Sequence, residues 1–286
     1  MRKRFSLSLR SGGTIELGER TAVVGVLNVT PDSFSDGGQN LDPARAVDRA
    51  LGMQAEGADI IEVGGESTRP GATQLSCAEE LSRVLPVLNE LSPRLQIPIA
   101  IDTYKSEVAA AATISGVSII NDVSALRFDP AIADVAAREN ALLILMHMRG
   151  TPSTMQRIEP SKDIFSEIES DFETSIRTAT GRGVRREQLI LDPGIGFGKT
   201  LDQNLAILNR LDRFERFGAP LMVGTSRKSF IGKLTGRPEA ERVMGTAASV
   251  TLAIVRGAHF VRVHDVKEMV EVARIADAIL NSGIDP

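Results

Sequence analysis

The sequence has few of the features on which extracellular, membrane and nucleic-acid-binding proteins depend. Its 286 residues include one cysteine, Cys77, which excludes an internal disulfide bond and predicts a reduced, cytoplasmic protein. The basic start of the chain is not followed by the apolar core of a signal peptide. No apolar run reaches the ~18 residues that a membrane-spanning helix needs. A formal net charge of −4, without a long Lys/Arg block, argues against nucleic acid or an anionic membrane as the partner.

What the chain does have is an ordinary globular composition and a repeat. Hydrophobic residues make up 42% and charged residues 24%, which is enough apolar material for a large core. After a hairpin-like lead from Phe5 to Leu17, with Gly12 and Gly13 at its turn, short apolar runs recur. Such runs are typical of strands that are covered on both faces. They are Thr21 to Leu27, Asp59 to Val63, Ile97 to Ile101, Val117 to Ile120, Ala141 to Met146, Gln188 to Leu191, Pro220 to Val223 and His259 to Val263.

Amphipathic helical patterns separate these runs, and several begin with Pro or an acidic first turn. They are Pro43 to Glu56, Cys77 to Leu91, Lys105 to Ile114, Pro130 to Arg138, Asp163 to Thr180, Asp202 to Arg213, Pro238 to Arg256 and Lys267 to Leu280. Eight βα units without a linker predict one α/β domain over residues 1–286, a closed (β/α)8 TIM barrel over 21–281 with a short N-terminal β-hairpin lead over 1–20. A doubly wound sheet is the alternative, because a strand count from one sequence can be wrong by one.

In such barrels the chemistry lies where the strands end and the βα loops begin. These positions are strongly polar here, whereas random strand ends would often be Gly, Ser or Lys facing solvent. They bring carboxylates, amides, imidazoles and cations to one mouth. The residues are Asn28, Glu62, Asp102, Asn121, His147, Asp192, Ser226, Arg227, Lys228, Arg262 and His264. We therefore predict a functional site at this end of the barrel.

An acid–amide–acid set within that series favours a ligand that presents N–H groups. Asp102, Asn121 and Asp192 would point into a narrow cavity, where an unpaired carboxylate is costly. The guanidine-like edge of a 2-amino-4-oxo pterin could donate two parallel hydrogen bonds to a carboxylate, and Lys228 could serve the ring carbonyl. The alternative for either acid alone is a helix N-cap or a salt bridge to a neighbouring loop.

Strands one and eight contribute a second set, which forms one patch only if the barrel closes. Arg262, His264 and Asn28 suit a phosphate group, and Asn28 with an acid such as Asp36 could hold a mostly hydrated Mg²⁺ that bridges phosphate oxygens. The alternative for His264 is a pairing with Asp265 or with a neighbouring carbonyl.

Three loops near the mouth are unusually rich in small residues. The stretch from Asp192 to Lys199 lacks the spacing of a P-loop, and we interpret its glycines as a wall that lets a flat heterocycle approach the backbone. The loops from Thr30 to Leu41 and from Ser67 to Ser76 are too long for mere connections and are interpreted as mobile lids. Phe34, in the first of them, could stack on an aromatic substrate or only anchor the loop.

Long motifs in the same order along the chain resemble those of the dihydropteroate synthase family, over almost all of the sequence from Thr21 to Leu280. Two of them are long and highly specific, namely GVLNVTPDSFSDGG from Gly25 and GGESTRPG from Gly64. Shorter matches are IDTYK from Ile101, IND from Ile120, MHM from Met146, DPG from Asp192, SRKS from Ser226 and RVHD from Arg262. The departures are Glu62, where family members usually carry Asp, and Thr225, where Met is more usual; the first puts a supporting contact in question, not the reaction.

The resemblance implies a folate-biosynthesis transferase that condenses 6-hydroxymethyl-7,8-dihydropterin diphosphate with p-aminobenzoate, giving 7,8-dihydropteroate and pyrophosphate. It implies that the bond to pyrophosphate breaks first, that sulfonamides inhibit, and that the protein is a homodimer. It also implies roles for individual residues. The pterin would be held by Asp102, Asn121, Asp192 and Lys228. The diphosphate would be held by Asn28, Arg69, Arg262 and His264, with Mg²⁺ on Asn28 and Asp36. The p-aminobenzoate pocket would comprise Phe34, Thr68, Arg69, Pro70, Phe197, Lys228 and Ser229. The catalytic residues among these would be Asp102, Lys228, Arg69 and Asp36.

Two other functions stay open at this stage. A pterin-dependent methyltransferase would share a similar acid–amide–acid set, but it would need a corrinoid partner and has no reason to keep a diphosphate clamp. A non-catalytic pterin-binding paralogue is the other, and the intact residues at every matched position argue against it.

Overall fold

Eight parallel strands form the barrel in the computed structural model, which describes residues 2–30, 42–69 and 71–282. The strands are β3 (Ala22–Asn28), β4 (Ile60–Gly64), β5 (Ile99–Asp102), β6 (Ile119–Asp122), β7 (Leu142–Met146), β8 (Leu189–Asp192), β9 (Met222–Val223) and β10 (Phe260–Val263). Their order is β8-β7-β6-β5-β4-β3-β10-β9. A parallel bridge between Leu191 and Leu221 joins the two outer strands. The predicted barrel is confirmed, each strand within two residues of its predicted bounds, and the doubly wound alternative is wrong.

Helices follow the strands and cover the outside of the barrel. They are α1 (Pro43–Glu56), α2 (Cys77–Leu91), α3 (Ser106–Ile114), α4 (Ala131–Glu139), α5 (Ile164–Gly181), α6 (Leu201–Asn209), α7 (Ser229–Thr235), α8 (Val243–Val255) and α9 (Val266–Leu280). Within the described ranges, none is long and apolar enough to span a membrane.

Two predicted helices differ from the structure. The pattern from Asp202 to Arg213 divides into α6 and a 3-10 segment, Leu211–Phe217, and the pattern from Pro238 to Arg256 begins with a 3-10 turn, Glu239–Glu241, before α8. Helix α7 was not predicted, because it is seven residues long, buries only Phe230 and Ile231, and so shows no helical period.

The predicted hairpin closes the lower end of the barrel. Strands β1 (Phe5–Ser8) and β2 (Thr14–Leu17) pair antiparallel, and Gly12 and Gly13 take the left-handed conformation at the turn. The hairpin side chains of Leu7, Ile15 and Leu17 pack on apolar side chains that point inward from the lower halves of the barrel strands. The open end of the barrel is therefore the one with the polar strand ends.

A buried arginine ties the start of the chain to its last helix below the barrel. The Arg2 guanidinium donates to Thr21 Oγ1 at 2.6 Å and to the Ala258 carbonyl at 2.8 Å, and it pairs with Asp277 of α9. The Thr21 backbone N–H donates to the same carboxylate at 2.6 Å.

Strand geometry explains how one strand serves both ends. Side chains two residues apart on a strand point to the same face. Three strands therefore carry an inward-pointing pair of side chains, one apolar and one charged: Ile60 and Glu62, Ile190 and Asp192, and Phe260 and Arg262. The first member of each pair belongs to the apolar layer over the hairpin. The second enters a charged layer above it.

Candidate active site

Arg262 lies at the centre of the charged layer. Its Nε is 2.8 Å from Glu62 Oε1 and 3.0 Å from Oε2, and its Nη1 is 3.0 Å from Asp192 Oδ2. Burial alone would lower the pKa of Arg262, but the carboxylates of Glu62, Asp192 and Asp102 outweigh it and raise that pKa. The prediction grouped Arg262 with Asn28 and His264; the structure pairs its guanidinium with the acids below the mouth. Its role toward a diphosphate stays a prediction.

Asp102 and Asn121 lie side by side on neighbouring strands. Asn121 Nδ2 donates to Asp102 Oδ1 at 2.8 Å, whereas Asn121 Oδ1 is buried without a hydrogen-bond partner among the described residues. Burial, and then the charge of Glu62, raises the pKa of Asp102 well above its usual value. The pair thus leaves an acceptor and a poorly solvated carboxyl group available to a ligand.

Asn28 lies at the neighbouring strand end and approaches the same space. A Cβ placed on Gly64 would lie 3.7 Å from Asp102 Oδ2 and 3.8 Å from Asn28 Oδ1. Strands β3 and β10 pair directly, with Val24 beside Arg262. The barrel closure that the predicted Asn28, Arg262 and His264 patch required is therefore present.

Asp192, the last residue of β8, is fixed from two sides. Its Oδ1 accepts from the backbone N–H of Gly194 at 2.7 Å, and its Oδ2 faces Arg262. Each carboxylate oxygen can accept more than one hydrogen bond, so the residue is oriented and retains capacity for a ligand.

Lys228 follows β9, beside the glycine-rich loop that follows β8. Its Nζ is 4.1 Å from the centroid of the Phe197 ring, and its side chain passes over Gly196. Burial, reinforced by Arg262, lowers the pKa of Lys228 to about 8. Ser229 comes next, exposed at the start of α7.

A strained turn holds Lys228 in this place. Arg227 has φ +57°, which is uncommon for a residue with a side chain. Its Nε donates to Asp265 Oδ2 at 3.0 Å, its N–H donates to Thr246 Oγ1 at 3.1 Å, and its carbonyl accepts from Arg242 at 2.9 Å. These contacts from α8 and the β10 loop offset the backbone strain.

His264 is paired with Ser226, not with Asp265 as one alternative had it. Ser226 Oγ accepts from the His264 N–H at 3.1 Å and lies 3.0 Å from Nδ1. When the Ser226 hydroxyl donates to Nδ1, the neutral ring carries its proton on Nε2. Burial, then Arg227, lowers the pKa of His264 to about 4. The His264 ring is therefore neutral near pH 7.

Sequence reasoning missed the residue that supports the glycine-rich loop. Lys199 Nζ donates to the carbonyls of Gly194 at 2.8 Å and of His147 and Phe197 at 3.2 Å each. Burial lowers the pKa of Lys199 to about 7. The available signal was a lysine at the end of a glycine-rich stretch. Its partners are backbone carbonyls, which every residue has, so the sequence does not reveal them.

Arg69 and Thr68 lie on the loop after β4. Arg69 is exposed at the rim, where its guanidinium is 2.9 Å from Glu239 Oε1, and Thr68 is half-buried. The other predicted residues of the two lids, Phe34, Asp36 and Pro70, lie outside the described residues.

The described residues at the mouth fit a metal ion that a substrate also helps to hold. The described ranges contain no group of three acidic, histidine or cysteine side chains that could hold an ion. Mg²⁺ is commonly held by one or two protein oxygens together with phosphate oxygens and water. Asn28 Oδ1, beside the carboxylate of Asp102, fits that kind of site, and Asp36 stays its predicted partner.

Comparison with known proteins identifies the family. Residues 24–264 match the family described as pterin binding enzyme. The chain is 48% identical to dihydropteroate synthase of Synechocystis sp. over 96% of both proteins, and 46% identical to that of Bacillus subtilis over 93% of this chain and 90% of that protein.

Solved structures are similar over the whole barrel. A Yersinia pestis dihydropteroate synthase with a sulfonamide drug complex has a TM-score of 0.91 at 40% identity, covering 97% of this chain and 100% of that one. A Xanthomonas albilineans dihydropteroate synthase with 4-aminobenzoic acid has a TM-score of 0.90 at 40% identity, covering 98% and 99%. The chain therefore belongs to the dihydropteroate synthases, transferases of the pterin-binding enzyme family.

Proposed function

We propose that the chain condenses 6-hydroxymethyl-7,8-dihydropterin diphosphate with p-aminobenzoate, releasing pyrophosphate and 7,8-dihydropteroate. The observation that carries this proposal is the set of buried Asn121 and Asp192 with half-buried Asp102, in which Asn121 Oδ1 has no partner among the described residues. A pterin ring places N–H donors along one edge, and such an edge satisfies acceptors that otherwise cost free energy when buried.

Each polar group has a complementary place on the pterin. Asp192, held by Gly194 and Arg262, accepts from the 2-amino and N3 hydrogens in a bidentate manner. Lys228 donates to the 4-oxo group, and Asn121 and Asp102 accept from the far side of the ring.

The diphosphate lies toward Asn28 and His264. His264 presents Nε2–H as a neutral donor, Arg69 reaches over the rim, and Arg262 adds positive charge from below. Asn28 and the predicted Asp36 would hold Mg²⁺, which would neutralise negative charge on the leaving group.

The reaction proceeds by loss of the leaving group before attack. The C–O bond to the diphosphate breaks, its electron pair leaves with pyrophosphate, and a resonance-stabilised pterin methylene cation remains. Asp102 and Asp192 stabilise that cation through the hydrogen bonds that they accept from the ring. The arylamine nitrogen then forms the C–N bond and releases one proton.

The arylamine binds between the Phe197–Lys228 wall and the lid residues Thr68 and Arg69, near Ser229; Phe34 and Pro70, which lie outside the described residues, stay predicted members of the pocket. The relatives crystallised with 4-aminobenzoic acid and with a sulfonamide support an arylamine as the second substrate. Because a sulfonamide is also a para-substituted aniline with a polar far end, it competes for the same place.

A second copy of the chain covers the outer face of the last helices. Seven large apolar side chains are exposed there, with Met244 at 78%. They are Leu234, Met244, Leu252, Val255, Ile275, Ile279 and Leu280. Exposed apolar area of this kind on neighbouring helices is typical of an oligomer interface. A monomeric sedimentation coefficient at micromolar concentration would refute the homodimer.

A direct assay tests the reaction. The purified chain with both substrates and Mg²⁺ is expected to form dihydropteroate and one equivalent of pyrophosphate. Binding of the pterin without turnover would instead indicate a non-catalytic paralogue. Methyl transfer without pyrophosphate release would indicate the methyltransferase alternative.

A further inference from the structure

One carboxylate joins the two ends of the loop that carries Thr68 and Arg69. Glu66 lies at the beginning of this 66–75 loop, and its Oε2 accepts from the backbone N–H of Leu75 at 3.1 Å. The end of the loop leads into α2, which begins with a capping box between Ser76 and Glu79. The position of Glu66 therefore sets the position of both loop ends.

Glu66 is itself held by two residues from the next βα unit. The Tyr104 hydroxyl donates to Glu66 Oε1, and Lys105 Nζ pairs with both Glu66 and Glu80. The side chains of Lys105, Glu66 and Glu80 are 10%, 6% and 1% exposed. Burial lowers the pKa of Lys105, but the hydrogen bonds to the two carboxylates outweigh it and raise that pKa, so the ammonium stays charged.

The base of the loop is also packed closely against α2. A Cβ on Gly65 would lie 2.6 Å from Val84 Cγ1, so only glycine lets the helix come so near. The Gly65 carbonyl accepts from Arg83 at 3.0 Å. The base therefore has little freedom to shift.

From the described residues of the loop tip, fewer bonds reach other parts of the chain. Gly71 donates to the Pro152 carbonyl at 3.1 Å, and the Arg69–Glu239 pair is exposed. A cavity of about 520 Å³ separates much of the tip from Thr151–Ser153, with Tyr104 and Phe128 in its lining. Because few bonds from these described residues reach other elements, their position depends on the base.

We propose that Tyr104 and Lys105 are positioning residues of the arylamine subsite, which place Thr68 and Arg69 by fixing Glu66. This inference rests on the proposed function of those two loop residues. Two carboxylates and one ammonium buried together are no more stabilising than apolar residues of similar size. The cluster instead fixes the orientation of the Glu66 carboxylate, because each of its oxygens is bound to a fixed partner.

The test separates the two substrates. Lys105→Met is expected to raise the KM for p-aminobenzoate about tenfold or more, and the KM for the pterin diphosphate by less than about twofold. Tyr104→Phe removes only the hydroxyl and is expected to show the same split at smaller size. Arg2→Met is the matched control, because it removes a similarly buried positive charge, a guanidinium, from the lower end of the barrel. It is expected to lower the melting temperature without any such split.

A readout independent of activity comes from the chain itself. The sequence has one tyrosine and no tryptophan, so intrinsic tyrosine fluorescence reports on Tyr104 alone. Glu66→Gln is expected to increase that emission, because a carboxylate acceptor quenches tyrosine. In Lys105→Met, hydrogen exchange is expected to accelerate in peptides from the 66–75 loop and not in peptides from β1 and β2.

The outcomes distinguish the two proposals. Equal rises in both KM values, or unchanged loop exchange in a folded Lys105→Met protein, would overturn the positioning role. A wild-type protein that forms no dihydropteroate would overturn the proposed function, while faster loop exchange in the variant would still show that the cluster holds the loop.

Discussion

The lower and upper ends of the barrel are built from the same strands but treat buried charge differently. Below, Arg2 and Asp277 meet each other, Thr21 and a backbone carbonyl. Above, Asn121 Oδ1 lacks a partner among the described residues, and the pKa values of Asp102 and Lys228 are displaced. The Arg2–Asp277 group satisfies its own charges, whereas the Asp102–Asn121 pair leaves an acceptor to a ligand. Stability and function are thus divided between the two ends.

The largest effect is expected from Asp192→Asn at the upper end. The amide keeps the shape but turns one acceptor into a donor, which then faces the N–H edge of the pterin. A loss of about 2 to 4 kcal/mol in transition-state stabilisation should lower kcat/KM by about 30- to 1000-fold. Asp277→Asn, the matched change below, should leave kcat/KM unchanged and lower the melting temperature. Near-wild-type kcat/KM in Asp192→Asn would remove Asp192 from the pterin site.

The reverse pattern is expected from Leu7→Ala in the hairpin. This side chain is fully buried over the apolar layer, and its truncation should lower the free energy of unfolding by about 2 to 4 kcal/mol. Urea unfolding measures the loss, and kcat/KM well below the melting temperature should stay that of the wild type. A loss of activity at full stability would show that the two ends are coupled.

Loss of the His264 side chain should weaken binding of pyrophosphate more than binding of p-aminobenzoate. In His264→Ala, the Kd for pyrophosphate with Mg²⁺ is expected to rise about tenfold, because one donor to a charged group is lost. Binding of p-aminobenzoate should change little. Calorimetry measures both, and chelation of Mg²⁺ should weaken pyrophosphate binding in the wild type. A variant that kept pyrophosphate affinity but lost that for p-aminobenzoate would reverse the two subsites.

Rising pH should act on activity and stability in opposite directions at the upper end. Above about pH 8 the Lys228 ammonium loses its proton, so activity that depends on this donor should fall. Stability should rise from about pH 8 toward the unfolded value of 10.5, because the unfolded chain then holds more protons. At the lower end, burial lowers the pKa of His259 to about 4, so its contribution to stability is lost as pH falls from 6.5 toward 4. A pH–rate profile with no limb near pH 8 would argue against Lys228.

The smallest change expected is a shift in apparent KM alone. Sulfamethoxazole should raise the apparent KM for p-aminobenzoate without changing kcat, and pyrophosphate should strengthen its binding by completing the pocket. Leu7→Ala should be inhibited like the wild type. Inhibition that p-aminobenzoate does not relieve would place the drug elsewhere.

Much of this fold was predictable, because strand and helix periods are local properties of the sequence. The strand-end residues followed from the rule that barrel chemistry lies at one end. Arg262 shows the limit of that rule: it precedes His264 by two residues and points the same way, yet lies one layer deeper, among acids that belong to other strands. Lys199 and Lys105 were missed as supports for the same reason, since their partners come from distant parts of the chain.

The link between Arg2 and Asp277 also has a consequence for the order of assembly. The two residues are 275 positions apart, so a ribosome adding about 5 to 20 residues per second makes the second one only many seconds after the first. During that time the lower end has no bond to α9, and Arg2 lacks its carboxylate. A ribosome-bound chain halted before Asp277 should therefore be cut by protease near its N-terminus, while the released chain resists.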